Sequence, residues 1–205
     1  HRFSDTSFAD FTLIHYGYVA GFLPDAFRNR EWAYRTLYEN YPDSHLADDA
    51  TFHLAGLYSQ DGDHDTSVQL YEELIDKWPD SPWADQTLRS LINEYGTLER
   101  PEDALDALKQ LAHNYPKSEL CPQALFDLAG KYAEKEQYDS AIQAWSDLIE
   151  DYPYNDLADD AQMQIAQCYR RMNDQHQALN AYKKLIDNWY GSNLSNSAML
   201  EANNI

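Results

Sequence analysis

Asp61, Asp63 and Asp65, with Glu72 eleven residues after the first, put carboxylates at the first, third, fifth and twelfth positions of a calcium-binding loop. The sixth position, where such a loop turns sharply on glycine, is Thr66. Residues 66 to 72 are also needed as the first turns of a helix, and a helical segment cannot wrap an ion. The reading is therefore no metal site, with Asp61, Asp63 and Asp65 kept only as a loose, low-affinity alternative for a divalent cation. His113 with Cys121, and Cys168 with His176, stand eight residues apart, and a thiol beside an imidazole can be a nucleophile. Neither pair has a third group to orient the base, and no GxxxxGK[ST], GxSxG or HExxH occurs, so no catalytic residue and no cofactor are assigned. The acid pairs Asp48-Asp49 and Asp159-Asp160 are explained by capping and the helix dipole rather than by general acid chemistry.

The rest of the composition narrows the partners. Among 205 residues, 35 are acidic and 15 basic, giving a net charge of −20. A phosphate backbone or an anionic lipid surface would be repelled, which excludes nucleic acid as a partner. Asp outnumbers Glu by 23 to 12 and Lys numbers only 7, a balance that suits a chain hydrated in salty surroundings. With 43% hydrophobic and 14% aromatic residues but only 7 Gly and 8 Pro, the chain should fold around a real core. Cys121 and Cys168 cannot make a disulfide framework and read as small buried thiols. The most apolar stretch, 11–23, ends at Pro24 and is shorter than the roughly 20 apolar residues of a membrane span. The chain opens on His1 rather than Met, which reads as a processed or excised chain.

The elements that must position any site come from a repeat. An aromatic residue followed by Pro occurs at Tyr41-Pro42, Trp78-Pro79, Tyr115-Pro116 and Tyr152-Pro153, always 37 residues apart, and Trp189-Tyr190 falls on the next beat. Ser44, Ser81, Ser118, Asn155 and Ser192 follow, and then a small side chain: Ala47, Ala84, Cys121, Ala158 and Ser195. The Pro stops one helix, and the Ser or Asn oxygen is expected to take up free amides at the start of the next. Within each unit, apolar residues recur at three and four. Ala50, Leu54, Leu57 and Tyr58 form one stripe, Asp61-Gly62-Asp63 breaks it, and Val68, Tyr71, Leu74, Ile75 and Trp78 form the second. The pattern returns down the chain, with Ala141, Ile142, Trp145 and Ile149, then Ala178, Tyr182 and Ile186, as later second stripes. A lone hairpin cannot bury both faces, whereas stacked hairpins bury them against each other.

These motifs resemble the tetratricopeptide repeat family. Its order of a Leu-small pair, Tyr, a turn Gly, Ala, an aromatic and a closing Pro appears as Leu54-Ala55, Tyr58, Gly62, Tyr71 and Pro79, and again as Leu128-Ala129, Tyr132, Tyr138, Ala141, Trp145 and Pro153. Departures are Ser67 for the second-helix Ala, Glu99, Glu136 and Asn173 for the turn Gly, and Tyr190 for the last Pro. The beat of 37 exceeds the usual 34. That variant is similar to the repeats of bacterial cell-envelope proteins of the Tol–Pal coordinator type and the β-barrel assembly lipoprotein type. The resemblance implies an all-α solenoid of about five helical hairpins plus a C-terminal helix, about eleven helices in all. Its divisions are a degenerate, aromatic-rich hairpin over 1–40, four units over 41–188 (41–77, 78–114, 115–151, 152–188), and a capping or truncated helix over 189–205.

It further implies binding rather than catalysis: a scaffold or adaptor of a bacterial envelope assembly, periplasmic or otherwise exported, with a protein, peptide or subunit as partner. First helices of such hairpins line a concave groove, and register carries that groove onto Phe52, Arg89, Asn93, Phe126, Met163, Gln167, Arg170 and Arg171. Two readings of the apolar members stand side by side, anchors for a peptide or packing on the next helix. Arg170-Arg171 is a cationic spot on a negative chain, suited to a carboxylate or to solvation at a helix end. Charge is uneven, −8 over residues 41–77 and −1 over 152–188, so a basic partner would be steered to the former. Aromatics crowd from Phe3 to Phe27, and Phe8, Phe11, Tyr16, Tyr18 and Phe22 form a candidate docking face whose alternative is packing on the following hairpin. The competing functions are a permanent structural subunit and a recruiting domain cut from a larger enzyme; oligomeric state is open.

Overall fold

A computed structural model describes the backbone of residues 3–205 and the side chains of residues 8–205, which leaves Phe3 outside the described side chains. Helices run α1 (Phe3–Val19), extended by a 3-10 turn (Ala20–Phe22), α2 (Ala26–Asn40), α3 (Ala47–Asp61), α4 (His64–Lys77), α5 (Ala84–Thr97), α6 (Pro101–Asn114), α7 (Cys121–Glu134), α8 (Tyr138–Asp151), α9 (Ala158–Arg171), α10 (Gln175–Asn188) and α11 (Asn193–Asn203). Eleven α-helices and no strand occur among the described residues, the all-α solenoid expected from the repeat. Two compact units emerge, His1–Ala107 and Leu108–Ile205, and α6 contributes to both.

Every hairpin turns on one left-handed residue. Asp25, Gly62, Glu99, Glu136 and Asn173 have φ of 55°, 87°, 55°, 59° and 60° and stand 37 apart, which sets the N-terminal hairpin in register with the others. In the last four, the following amide reaches back to the carbonyl of Tyr58, Tyr95, Tyr132 or Tyr169 at 2.8–2.9 Å, closing the helix with a Schellman motif. A side chain in this region costs about 1–2 kcal/mol, which glycine avoids at some cost in unfolded-chain entropy. Glu136→Gly is therefore expected to stabilise the protein by about 0.5–1 kcal/mol, read as a higher midpoint in urea.

Loops between hairpins also repeat, though not as expected. Ser44, Ser81, Ser118 and Asn155 do not cap the α-helix itself; each side-chain oxygen accepts the amide two residues on (Leu46, Trp83, Leu120, Leu157), just before the helix begins. Two tight turns in succession, closed by bonds such as Ser81 N–H to Trp78 O and Ala84 N–H to Ser81 O, hold the oxygen there. Ser192 alone is an N-cap, accepting from Leu194 N–H at 3.1 Å. Ser44, Ser81 and Ser192 also donate to a carboxylate of the preceding hairpin: Asp10, Asp48 and Asp159. The first Asp of each acid pair thus ties one hairpin to the next as well as facing the helix dipole. Pro122 stands 33 residues before Asn155, where Ser81, Ser118 and Ser192 have Asp48, Asp85 and Asp159, and there Asn suffices because the side chain need only accept.

The cores follow the same beat. Leu37 and Leu74 in the first unit, and Leu111, Leu148 and Leu185 in the second, are each 37 apart and all but inaccessible. The sequence reading put Ile149 and Ile186 on this stripe; both are half-buried, and the leucine one residue earlier takes the core place. Second-helix aromatics fill the remaining volume: Tyr34 and Tyr71 in the first unit, Trp145 and Tyr182 in the second. Small residues at Ala47, Ala84, Cys121, Ala158 and Ser195 are buried where helix starts pack closely.

Candidate functional site

In the first unit, the expected groove positions fall on α3 and α5. The Phe52 ring lies stacked on Trp83, centroids 4.5 Å apart and planes 16° from parallel, so one face is satisfied internally and the side chain is half-buried. His53, beside it, stacks on Tyr34 at 5.4 Å and meets Tyr18 edge-on at 5.1 Å. Tyr18 donates to Asp49 Oδ2 at 2.9 Å; burial first, then this carboxylate, raises the phenol's pKa and keeps it a donor. Arg89 and Asn93, four apart on α5, are both exposed, and Arg89 makes no ion pair among the described residues.

The second unit brings three of the expected residues together. Gln167, Arg170 and Arg171 line one cavity of about 340 Å³ at the C-terminal end of α9. Arg170 is paired with Glu201 of α11, while Arg171 is exposed and makes no ion pair among the described residues. Phe126 is half-buried, its ring 6.2 Å from Trp145. Met163 is only 6% exposed and belongs to the core rather than to an open row, because α9 turns that position inward beside Gln162, whose amide donates to Ala181 O.

Of the N-terminal aromatics, Phe8 (74%), Phe11 and Phe22 (92%) are exposed. Tyr16 is half-buried, edge-on to Trp32 at 5.9 Å, and Tyr18 is tied to Asp49, so these two are partly spent on packing. Trp32, 57% exposed on α2, extends this apolar surface and was not singled out from the sequence. Also missed was a groove of about 470 Å³ on α8–α10, lined by Ile142, Ile149, Ile165, Tyr169 and Lys184. Its signal was present: Ile149 is an extra apolar residue beside the core leucine, not part of it.

The chemistry set aside at the outset stays apart. Asp63 caps α4, accepting from Thr66 N–H at 3.2 Å and Thr66 Oγ1 at 2.8 Å. Asp65 and Glu72 lie within α4, and Glu72 accepts from Tyr95 at 2.6 Å, so the carboxylates do not converge. Among the described residues no group of His, Cys, Asp and Glu could hold a metal ion. Burial pushes both thiols up in pKa, and the Cys121 thiol donates to Ala112 O at 3.4 Å rather than meeting His113, whose Nδ1 lies 2.7 Å from Lys109 O. No helix among the described residues is long and apolar enough to cross a membrane.

Residues 90–156 match one family model described as tetratricopeptide repeat, and residues 49–81 and 160–190 match a second of the same description. No curated protein matches the sequence. Among solved structures, a tetratricopeptide repeat protein from Parabacteroides merdae ATCC 43184 is similar with a TM-score of 0.61 and 14% identity, over 95% of this chain and 72% of that one. MamA is similar with a TM-score of 0.59 and 16% identity, over 88% and 91% of the two chains. YrrB, described as a TPR protein with an unusual peptide-binding site, is similar with a TM-score of 0.58 and 16% identity, over 94% and 91%. At such identities the likeness is one of fold.

Proposed function

Because the chain is a tetratricopeptide repeat protein, of a family whose repeats mediate protein–protein interactions, we propose that it is a non-catalytic scaffold that holds acidic segments of partner proteins on the first helices of its hairpins. The observation that carries this reading is the cavity shared by Gln167, Arg170 and Arg171, where the exposed Arg171 guanidinium can take a carboxylate bidentately. It lies on residues 152–188, which carry only −1 of the −20, so an anion is repelled far less there than at residues 41–77, which carry −8. Arg89 and Asn93 offer a second such contact in the first unit. Selection of displayed peptides against the whole chain tests this. Binders enriched in Asp, Glu or a free C-terminal carboxylate are expected, and enrichment in Lys and Arg would overturn the reading.

The exposed Phe8, Phe11 and Phe22 favour an additional role for the N-terminal face as a docking surface, as a lasting subunit of a larger assembly would need. A setting in the bacterial envelope is supported by the 37-residue beat with its Tyr-Pro-x-Ser loop. Fractionation of the native cells checks it: recovery with the periplasm or membranes is expected, and recovery with the cytosol would contradict it.

A further inference from the structure

The α1 helix has two apolar sides. One, with Ile14 and Gly17, is buried within the first unit. Adjoining it lies a second stripe: Phe8, Phe11, His15 and Tyr18, continued by Phe22 at the end of the 3-10 turn. Their spacing of three, four, three and four is the seam of a pair of coiled helices. A helix this broadly apolar belongs inside a structure, yet on this one Phe8, Phe11, His15 and Phe22 face solvent, while Tyr18, bonded to Asp49, borders the packed side.

We propose that this stripe is the contact between two copies of the chain, with α1 packed antiparallel on α1 of the second copy. The ends of the stripe match about its centre, while Tyr18 falls opposite Thr12. With His15 on the two-fold axis, Phe8 falls opposite Phe22 of the second copy and Phe11 opposite its Val19, which is also exposed. The exposed parts of these side chains with Tyr18 and Leu23 amount to roughly 600 Å², most of the ~800 Å² each partner contributes to a standard interface. Charge favours the same place. Residues 1–40 carry only −1 of the −20, so two copies of so acidic a protein repel far less when they meet through this hairpin than through residues 41–77, which carry −8. Between Phe8 and Leu23 the only Asp or Glu is the buried Asp10, and there is no Lys or Arg.

This inference rests on reading the N-terminal face as a docking surface and is independent of the Arg171 cavity, so either can fail alone. The test is sedimentation equilibrium of the whole chain at micromolar concentration, with Phe11→Glu beside it and circular dichroism confirming equal helicity. A species of twice the 23.8 kDa chain mass is expected, with Phe11→Glu weakening association by about 100-fold or more. A short bis-maleimide then reports direction, since both native cysteines are buried. His15→Cys should cross-link into dimers; Phe8→Cys should not, because fourteen residues of helix separate the two positions by about 21 Å. A wild-type monomer, a dimer indifferent to Phe11→Glu, or cross-linking through Phe8→Cys equal to that through His15→Cys would overturn the proposal. So would finding the stripe covered instead by a different protein or by further residues of the same chain.

Discussion

Gly17→Ala is expected to detach α1 from the rest of the first unit. The Ser44–Asp10 bond sets Asp10 in register with Asp48, which makes Gly17 the equivalent of the small Ala55. Here even a methyl is too much: a Cβ on Gly17 would lie 2.3 Å from Tyr34 Cε1 and 2.6 Å from its Cζ. The Tyr34 ring cannot retreat, being fully buried and stacked on His53. Overpacking of this kind costs about 2–3 kcal/mol. In a stacked array the loss falls first on the terminal hairpin, so amide protection in α1 should drop by roughly 30-fold or more while α4 and α5 keep theirs. Gly21→Ala is the control, since its Cβ would meet only Arg30 Cδ at 3.8 Å and should be nearly neutral. Equal protection of α1 in the wild type and Gly17→Ala would contradict this packing.

Glu94→Ala should destabilise the first unit by about 3 kcal/mol. Glu94 is 6% exposed, yet its carboxylate has two partners: Ser59 Oγ donates to Oε1 at 2.5 Å and His64 Nδ1 lies 2.7 Å from Oε2. Ser59 closes α3 and His64 opens α4, so this carboxylate fastens one hairpin turn to the next first helix. Removing it strands both partners. Glu94→Gln keeps an acceptor and the volume and should cost about 1 kcal/mol. Adding Ser59→Ala to Glu94→Ala should cost less than the sum of the two, the mark of a shared contact. Urea unfolding of the four proteins measures this; a near-neutral Glu94→Ala would show that the cluster contributes nothing.

How far the sequence could be read depended on whether a feature repeats. The aromatic-Pro beat and the apolar stripes foretold the helices because each was seen several times, and local sequence sets a helix end. The hydroxyl-to-carboxylate ties were not foreseen, because Ser81 and Asp48 are 33 residues apart and only stacking makes them neighbours. Glu94 drew no notice for the same reason, its partners Ser59 and His64 standing 35 and 30 residues away. Ile149 and Ile186 were misassigned because an apolar residue on either side of the boundary satisfies the helical period; packing alone shows that Leu148 and Leu185 point inward. At the candidate site, Arg170, Arg171 and Gln167 were legible because they share one helix end. Met163 was not, since nothing in its own helix says how deeply α10 covers it.

The proposed scaffold holds a carboxylate-bearing segment on the first-helix surface at Arg171. The most direct measurement is the affinity of one selected acidic peptide for the wild type, Arg171→Glu and Lys184→Glu, the last reversing a charge in the separate groove on α8–α10. Arg171→Glu should weaken binding by about 10-fold or more, with Lys184→Glu close to the wild type. Equal affinity of the wild type and Arg171→Glu, or a larger loss at Lys184→Glu, would contradict the account.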